Sequence, residues 1–115
     1  MKDIQLSIHH SQLRRWPGNI RRRYNPDDVA AMAESQRERA AQGQPPCIHA
    51  LVVTPGPGLA YSPRLQDELL YIVAGHLRHA GNVRLGANAP LLNCVVRSYA
   101  TEAEILADMR TENGQ

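Results

Sequence analysis

Gly75-His76-Leu77-Arg78 stands where the apolar run Leu69-Leu70-Tyr71-Ile72-Val73-Ala74 ends and a helical pattern begins. A strand that turns through glycine into a helix start presents main-chain N–H groups and the positive end of the helix dipole, a combination suited to a phosphate. Arg78 adds a fixed cation there. His76 is a candidate for phosphate contact or acid/base work, since imidazole changes charge near neutral pH. More positive charge lies upstream. Over residues 1–25, Lys2, Arg14, Arg15, Arg21, Arg22 and Arg23 face Asp3 alone, about five net charges in a chain of overall net charge +2. An anionic partner, either a nucleotide or a nucleic-acid backbone, fits that asymmetry, and so does a solvated surface loop.

The elements that must position these residues belong to one small domain spanning residues 1–115. With no Phe and few aromatics, its core is built from Leu, Val, Ile and Ala. Ile4, Leu6 and Ile8 alternate with polar residues as a first, half-buried strand does. Residues 9–24 show no period and read as an ordered loop in which Trp16 packs. Asn25 as cap, Pro26 in the first turn and Asp27-Asp28 at the positive end predict a helix to about Gln42, stopped by Gly43. Its stripe of Val29, Met32, Ala33 and Gln36 is expected to pack on a sheet.

Residues 48–53 and 69–74 read as buried strands, separated by a Pro- and Gly-rich connection over 55–68 of low predicted order. His49 falls inside the first of these strands as a core or edge histidine. The second helix ends near Gly86, and Gly81 inside it implies close backbone packing. Leu91–Val96 forms a further strand, and Thr101-Glu102-Ala103-Glu104 is a capping box that opens a last helix. Cys47 and Cys94 fall in predicted strand regions at no metal-like spacing, as expected of structural thiols in a reduced, cytoplasmic chain. No stretch approaches the roughly 20 apolar residues of a membrane span. The fold class is therefore α/β, a mixed sheet with flanking helices.

Asn19-Ile20-Arg21-Arg22-Arg23-Tyr24-Asn25, the amphipathic helix that follows, and Pro46-Cys47-Ile48 resemble the opening of ParB-type partition proteins, with their N-x-R-x-x-[FY]-[DN] motif and later Q-P-[IL]. Tyr71–Arg78 is similar to the family's strand followed by G-E-R-R, and Glu112-Asn113-Gly114-Gln115 to the start of its E-N-x-Q-R motif. The resemblance implies the ParB/sulfiredoxin fold and a nucleoside triphosphate, CTP with Mg²⁺, that switches a DNA clamp. By the same resemblance, Arg21, Gly75, His76 and Arg78 contact the phosphates, and Glu112 with Asn113 lies on the metal side. A hard Mg²⁺ ion takes oxygen ligands of that kind. Implied partners are the nucleotide, DNA (through a parent protein or the basic N-terminal stretch) and a second copy of the chain. The setting is the bacterial cytoplasm, nucleoid or plasmid, with no membrane.

This chain departs from the pattern at three positions. His76 replaces the usual glutamate, Leu77 the first arginine, and Ala80 a third cation. The family's helix-turn-helix domain is expected outside residues 1–115. Two other readings stand beside the nucleotide switch. One is an enzyme, a ParB-like nuclease or nucleotide hydrolase with His76 and Glu112 as catalytic candidates. The other is an interaction module with a vestigial pocket. Sulfiredoxin chemistry needs a nucleophilic cysteine where His76 stands.

Overall fold

A computed structural model describes residues 3–17, 24–61 and 69–113, with side chains up to residue 111. Five strands form one mixed sheet in the order β1-β5-β3-β4-β2. They are β1 (Ile4–Ile8), β2 (Leu13–Arg15), β3 (Leu51–Thr54), β4 (Leu70–Ala74) and β5 (Leu92–Val96), and a 3-10 turn (His10–Gln12) leads into β2. β1 runs antiparallel to β5 and β3 to β4, while β3–β5 and β2–β4 are parallel. The two-residue period of β4 divides its side chains between two cores. Leu70 and Ile72 join Leu13, Leu51, Val53, Leu92 and Cys94 in one. Tyr71 and Val73 meet Trp16, Tyr99, Ile105 and Met109 in the other.

Three helices flank the sheet: α1 (Pro26–Ala41), α2 (His76–Arg84) and α3 (Glu102–Asn113). Asn25 caps α1 as its sequence predicts, its side chain accepting from Asp27 N–H at 2.8 Å. The expected docking of α1 on the sheet is corrected, because α1 packs chiefly on α2. Gly81 is the cause. A Cβ there would lie 2.7 Å from Met32 Cγ and 3.0 Å from Ala33 N, so only glycine lets the two backbones approach this far. α3 lies against β4 on the Val73 face. Its start uses the predicted capping pair: Glu104 N–H reaches Thr101 Oγ1 at 3.3 Å, while Glu104 Oε2 accepts from Ala100 N–H at 3.1 Å, one residue earlier than a standard box. Asp108 ties the helix to the end of β5, accepting from Tyr99 Oη at 2.5 Å and Arg97 Nη1 at 3.0 Å.

Three expectations change. The strand read at 48–53 begins only at Leu51. Ile48 is 75% exposed and His49 is exposed too, because residues 45–50 form a loop held from outside the ladder. The Asn93 carboxamide pairs with both main-chain groups of Cys47, at 3.1 Å and 3.0 Å. Cys47 therefore sits in this loop, whereas Cys94 is in β5, and both are buried thiols. Residues 9–24 contain β2, whose three residues are too few to show a period. In the connection over 55–68, Pro57 bridges Tyr99 and Gly58 N–H reaches Tyr99 O at 2.8 Å, so its described part is tied to the β5–α3 corner.

Candidate functional site

The parallel strands β2 and β4 bring Arg15 opposite Ile72, and two residues after Ile72 the chain leaves β4 for α2. The exit runs through Gly75 at φ +105°, a left-handed conformation that an L side chain rarely adopts. A Cβ at Gly75 would also come within 2.6 Å of Leu51 Cγ, so both conformation and space require glycine. The bend gives α2 an N-terminus with no side-chain cap. The first-turn N–H groups have no acceptor within the helix.

His76, His79 and Ala80, spaced along one face of α2, meet Arg15, Tyr24 and Ile72 around a cleft of about 230 Å³. His76 is only 6% exposed, and neither of its ring nitrogens has a hydrogen-bond partner among the described residues. Burial, assisted by the positive charge of Arg15 and by His79, lowers its pKa to about 4. At neutral pH it is an uncharged imidazole with one donor and one acceptor, both unused by the described residues. His79 is oriented from the 3-10 turn. Its Nε2 lies 3.1 Å from the His10 carbonyl, which can only accept, so Nε2 carries the proton. Burial lowers the His79 pKa as well, against the His10 hydrogen bond.

Arg78 departs from the cleft. Its Nη1 stands 3.4 Å from where a Gly75 Cβ would be, and its charge acts to lower the Cys47 thiol, which burial nevertheless raises. The guanidinium therefore lies between the helix start and the 45–50 loop. Gly75 forms the bend without lining the cleft. Arg21 lies outside the described residues. Glu112 and Asn113 close α3, on the sheet face opposite Ile72, and their side chains are not described. Among the sequence candidates whose side chains are described, His76 reaches the cleft wall, joined there by His79, while Arg15, Tyr24 and Ile72 come from the structure. The arginine-rich stretch was a signal for Arg15, but its pairing with β4 was not legible. A second, open groove beside β1 and the 45–50 loop has no charged side chain among the described residues lining it, and burial pushes its Cys94 thiol up to about 12.

The described part of the cleft does not suit Mg²⁺. Its wall contains no carboxylate, and no group of three His, Cys, Asp or Glu side chains among the described residues could hold a metal. Among the described residues, no helix is long and apolar enough to cross a membrane.

A mixed sheet with a glycine-turned helix start beside a cleft lined by Arg15 and two histidines defines a small α/β domain. Its fold is that of the ParB N-terminal region. The chain is similar to a C-terminally truncated chromosome-partitioning protein ParB from Caulobacter crescentus crystallised with CTP-γ-S (TM-score 0.69, 23% identity), covering 98% of this chain and 53% of that one. It is also similar to a truncated ParB from the same organism bound to the centromeric parS site (TM-score 0.63, 21% identity, 98% and 46% covered). This chain thus spans about half the length of each. No family model and no curated protein matches it.

Proposed function

We propose that this chain is the nucleotide-responsive domain of a ParB-type DNA-partition protein, with CTP as its ligand. The observation that carries this reading is the uncapped α2 start beside the Arg15–His76 cleft, in a fold shared with a ParB crystallised with a CTP analogue. First-turn amides, Arg15 and His76 meet phosphate oxygens, and Tyr24 supplies an aromatic surface for the rest of the nucleotide. Arg78, beside the same helix start, extends the positive field around the site, and Arg21, outside the described residues, is a further candidate for phosphate contact. Glu112 and Asn113, on the last turn of α3, are the residues to examine for any metal dependence. DNA contact, clamp closure and self-association belong to the longer protein of which such a domain is part. Among the described residues lining the cleft there is no carboxylate to activate water, so the enzyme reading has no observation in its favour.

Isothermal titration of the chain with CTP tests the proposal. Binding in the micromolar to millimolar range is expected, weakened about tenfold or more by Arg15→Ala, as for loss of a charge-assisted hydrogen bond. No heat up to several millimolar nucleotide, with or without Mg²⁺, would defeat it.

A further inference from the structure

We infer that His76 donates a hydrogen bond directly to an anionic oxygen of the ligand, so that the cleft seats a phosphate group without a bridging divalent ion. The inference rests on the nucleotide reading and specifies how that site meets its ligand. A glutamate at this position, as in the pattern that the sequence resembles, is acceptor-only and repels phosphate unless a metal or a proton stands between them. A neutral imidazole needs neither. His76 is more than nine-tenths buried, lines the cleft and has both ring nitrogens unpaired among the described residues. A buried donor without a partner is unfavourable, and a ligand oxygen in the cleft would satisfy it.

The neighbours point the same way. Arg15 and the α2 amides supply positive potential, which favours an anion and opposes a cation. The depressed His76 pKa agrees, since burial and Arg15 keep the ring uncharged and leave one N–H for donation. His79 already spends its Nε2 proton on the His10 carbonyl, so in its neutral form it has no second N–H to offer. Among the described residues lining the cleft, His76 is therefore the imidazole whose ring nitrogens are not already engaged.

The test compares CTP and inorganic tripolyphosphate binding in EDTA with binding in Mg²⁺, for the unmodified chain, His76→Gln and His76→Glu. The ring ¹⁵N resonances of His76 are followed in the unmodified chain. Expected are comparable affinity with and without Mg²⁺, retention in the Gln variant, which keeps an N–H, and a loss of about tenfold or more in the Glu variant in EDTA. A shift of the His76 ring signals on adding either ligand in EDTA is expected too, and it does not depend on any variant folding. Binding seen only with Mg²⁺, or His76 signals unmoved at saturation, overturns this inference and leaves the nucleotide reading standing. Silence from both ligands in both buffers removes the nucleotide reading as well. Tripolyphosphate binding alone, without CTP, keeps the direct phosphate contact and rejects the nucleotide.

Discussion

Asn82 Nδ2 donates to Gln36 Oε1 at 2.9 Å, with both side chains fully buried between α2 and α1. The same amide donates to the Pro90 carbonyl at 3.0 Å, which can only accept, so the orientation of the carboxamide is settled. Asn82 Oδ1 then faces His10 Nδ1 at 2.8 Å, and His10 must carry its proton there. Gln36 Nε2 reaches the Arg78 carbonyl at 2.8 Å. One polar network thus links α1, α2 and the turn that leads into β2, the strand that presents Arg15.

Replacing Gln36 with Leu keeps the volume and strands two partners. Asn82 loses one acceptor and the Arg78 carbonyl loses its side-chain donor in a dry setting, at a cost of about 1–3 kcal/mol. Urea unfolding should show a lower midpoint with an unchanged slope. A midpoint equal to that of the unmodified chain would show the network to be energetically idle.

Gly81→Ala should destabilise the domain although alanine is the better helix former. Propensity favours the change by about 1 kcal/mol. The new methyl group, however, would sit 2.7 Å from Met32 Cγ and 2.9 Å from Met32 Cβ, with the Ala33 backbone nitrogen at 3.0 Å. Forcing apart two packed helices costs about 1–3 kcal/mol, so the net expectation is a loss of roughly 1 kcal/mol. Met32→Ala in the same chain should restore part of it. A thermal melt that rises with Gly81→Ala alone contradicts the close contact.

Acid should weaken the fold before most carboxylates titrate. His76 has a pKa near 6.5 when unfolded and about 4 when folded, so between those values the unfolded chain holds a proton that the native chain does not. The His76 contribution is therefore constant above pH 7 and is lost as pH drops from 6.5 to 4, by at most about 1.4 kcal/mol per pH unit. The total for this group is roughly 3 kcal/mol, and the lowered pKa of His79 acts with the same sign. Urea midpoints at pH 7.5, 6 and 4.5 give the slope. In His76→Leu the slope should flatten, and an unchanged slope there would assign the acid sensitivity to other groups.

Local chemistry was legible in the residues themselves. Asn25-Pro26-Asp27 announced a helix start because capping involves neighbours a few residues apart. Thr101 with Glu104 did the same for α3, and the Gly75 bend followed from an apolar run ending in glycine. Gly81 signalled a close approach, although its partner α1 could not be read from the pattern. These features depend on short-range sterics and hydrogen bonds, which adjacent residue types carry.

Sequence alone thus determined the order of the main elements, their caps and the glycine-turned helix start, all of which depend on interactions within a few residues. Tertiary structure decided that a three-residue strand at Leu13–Arg15 joins β4, that α1 rests on α2, and that Arg78 turns from the cleft while Arg15 enters it. It also decided that His76 is buried, uncharged and unpaired among the described residues. Burial and pairing across some sixty positions arise from long-range packing, and no local pattern in the chain encodes which distant side chains exclude water from a given ring.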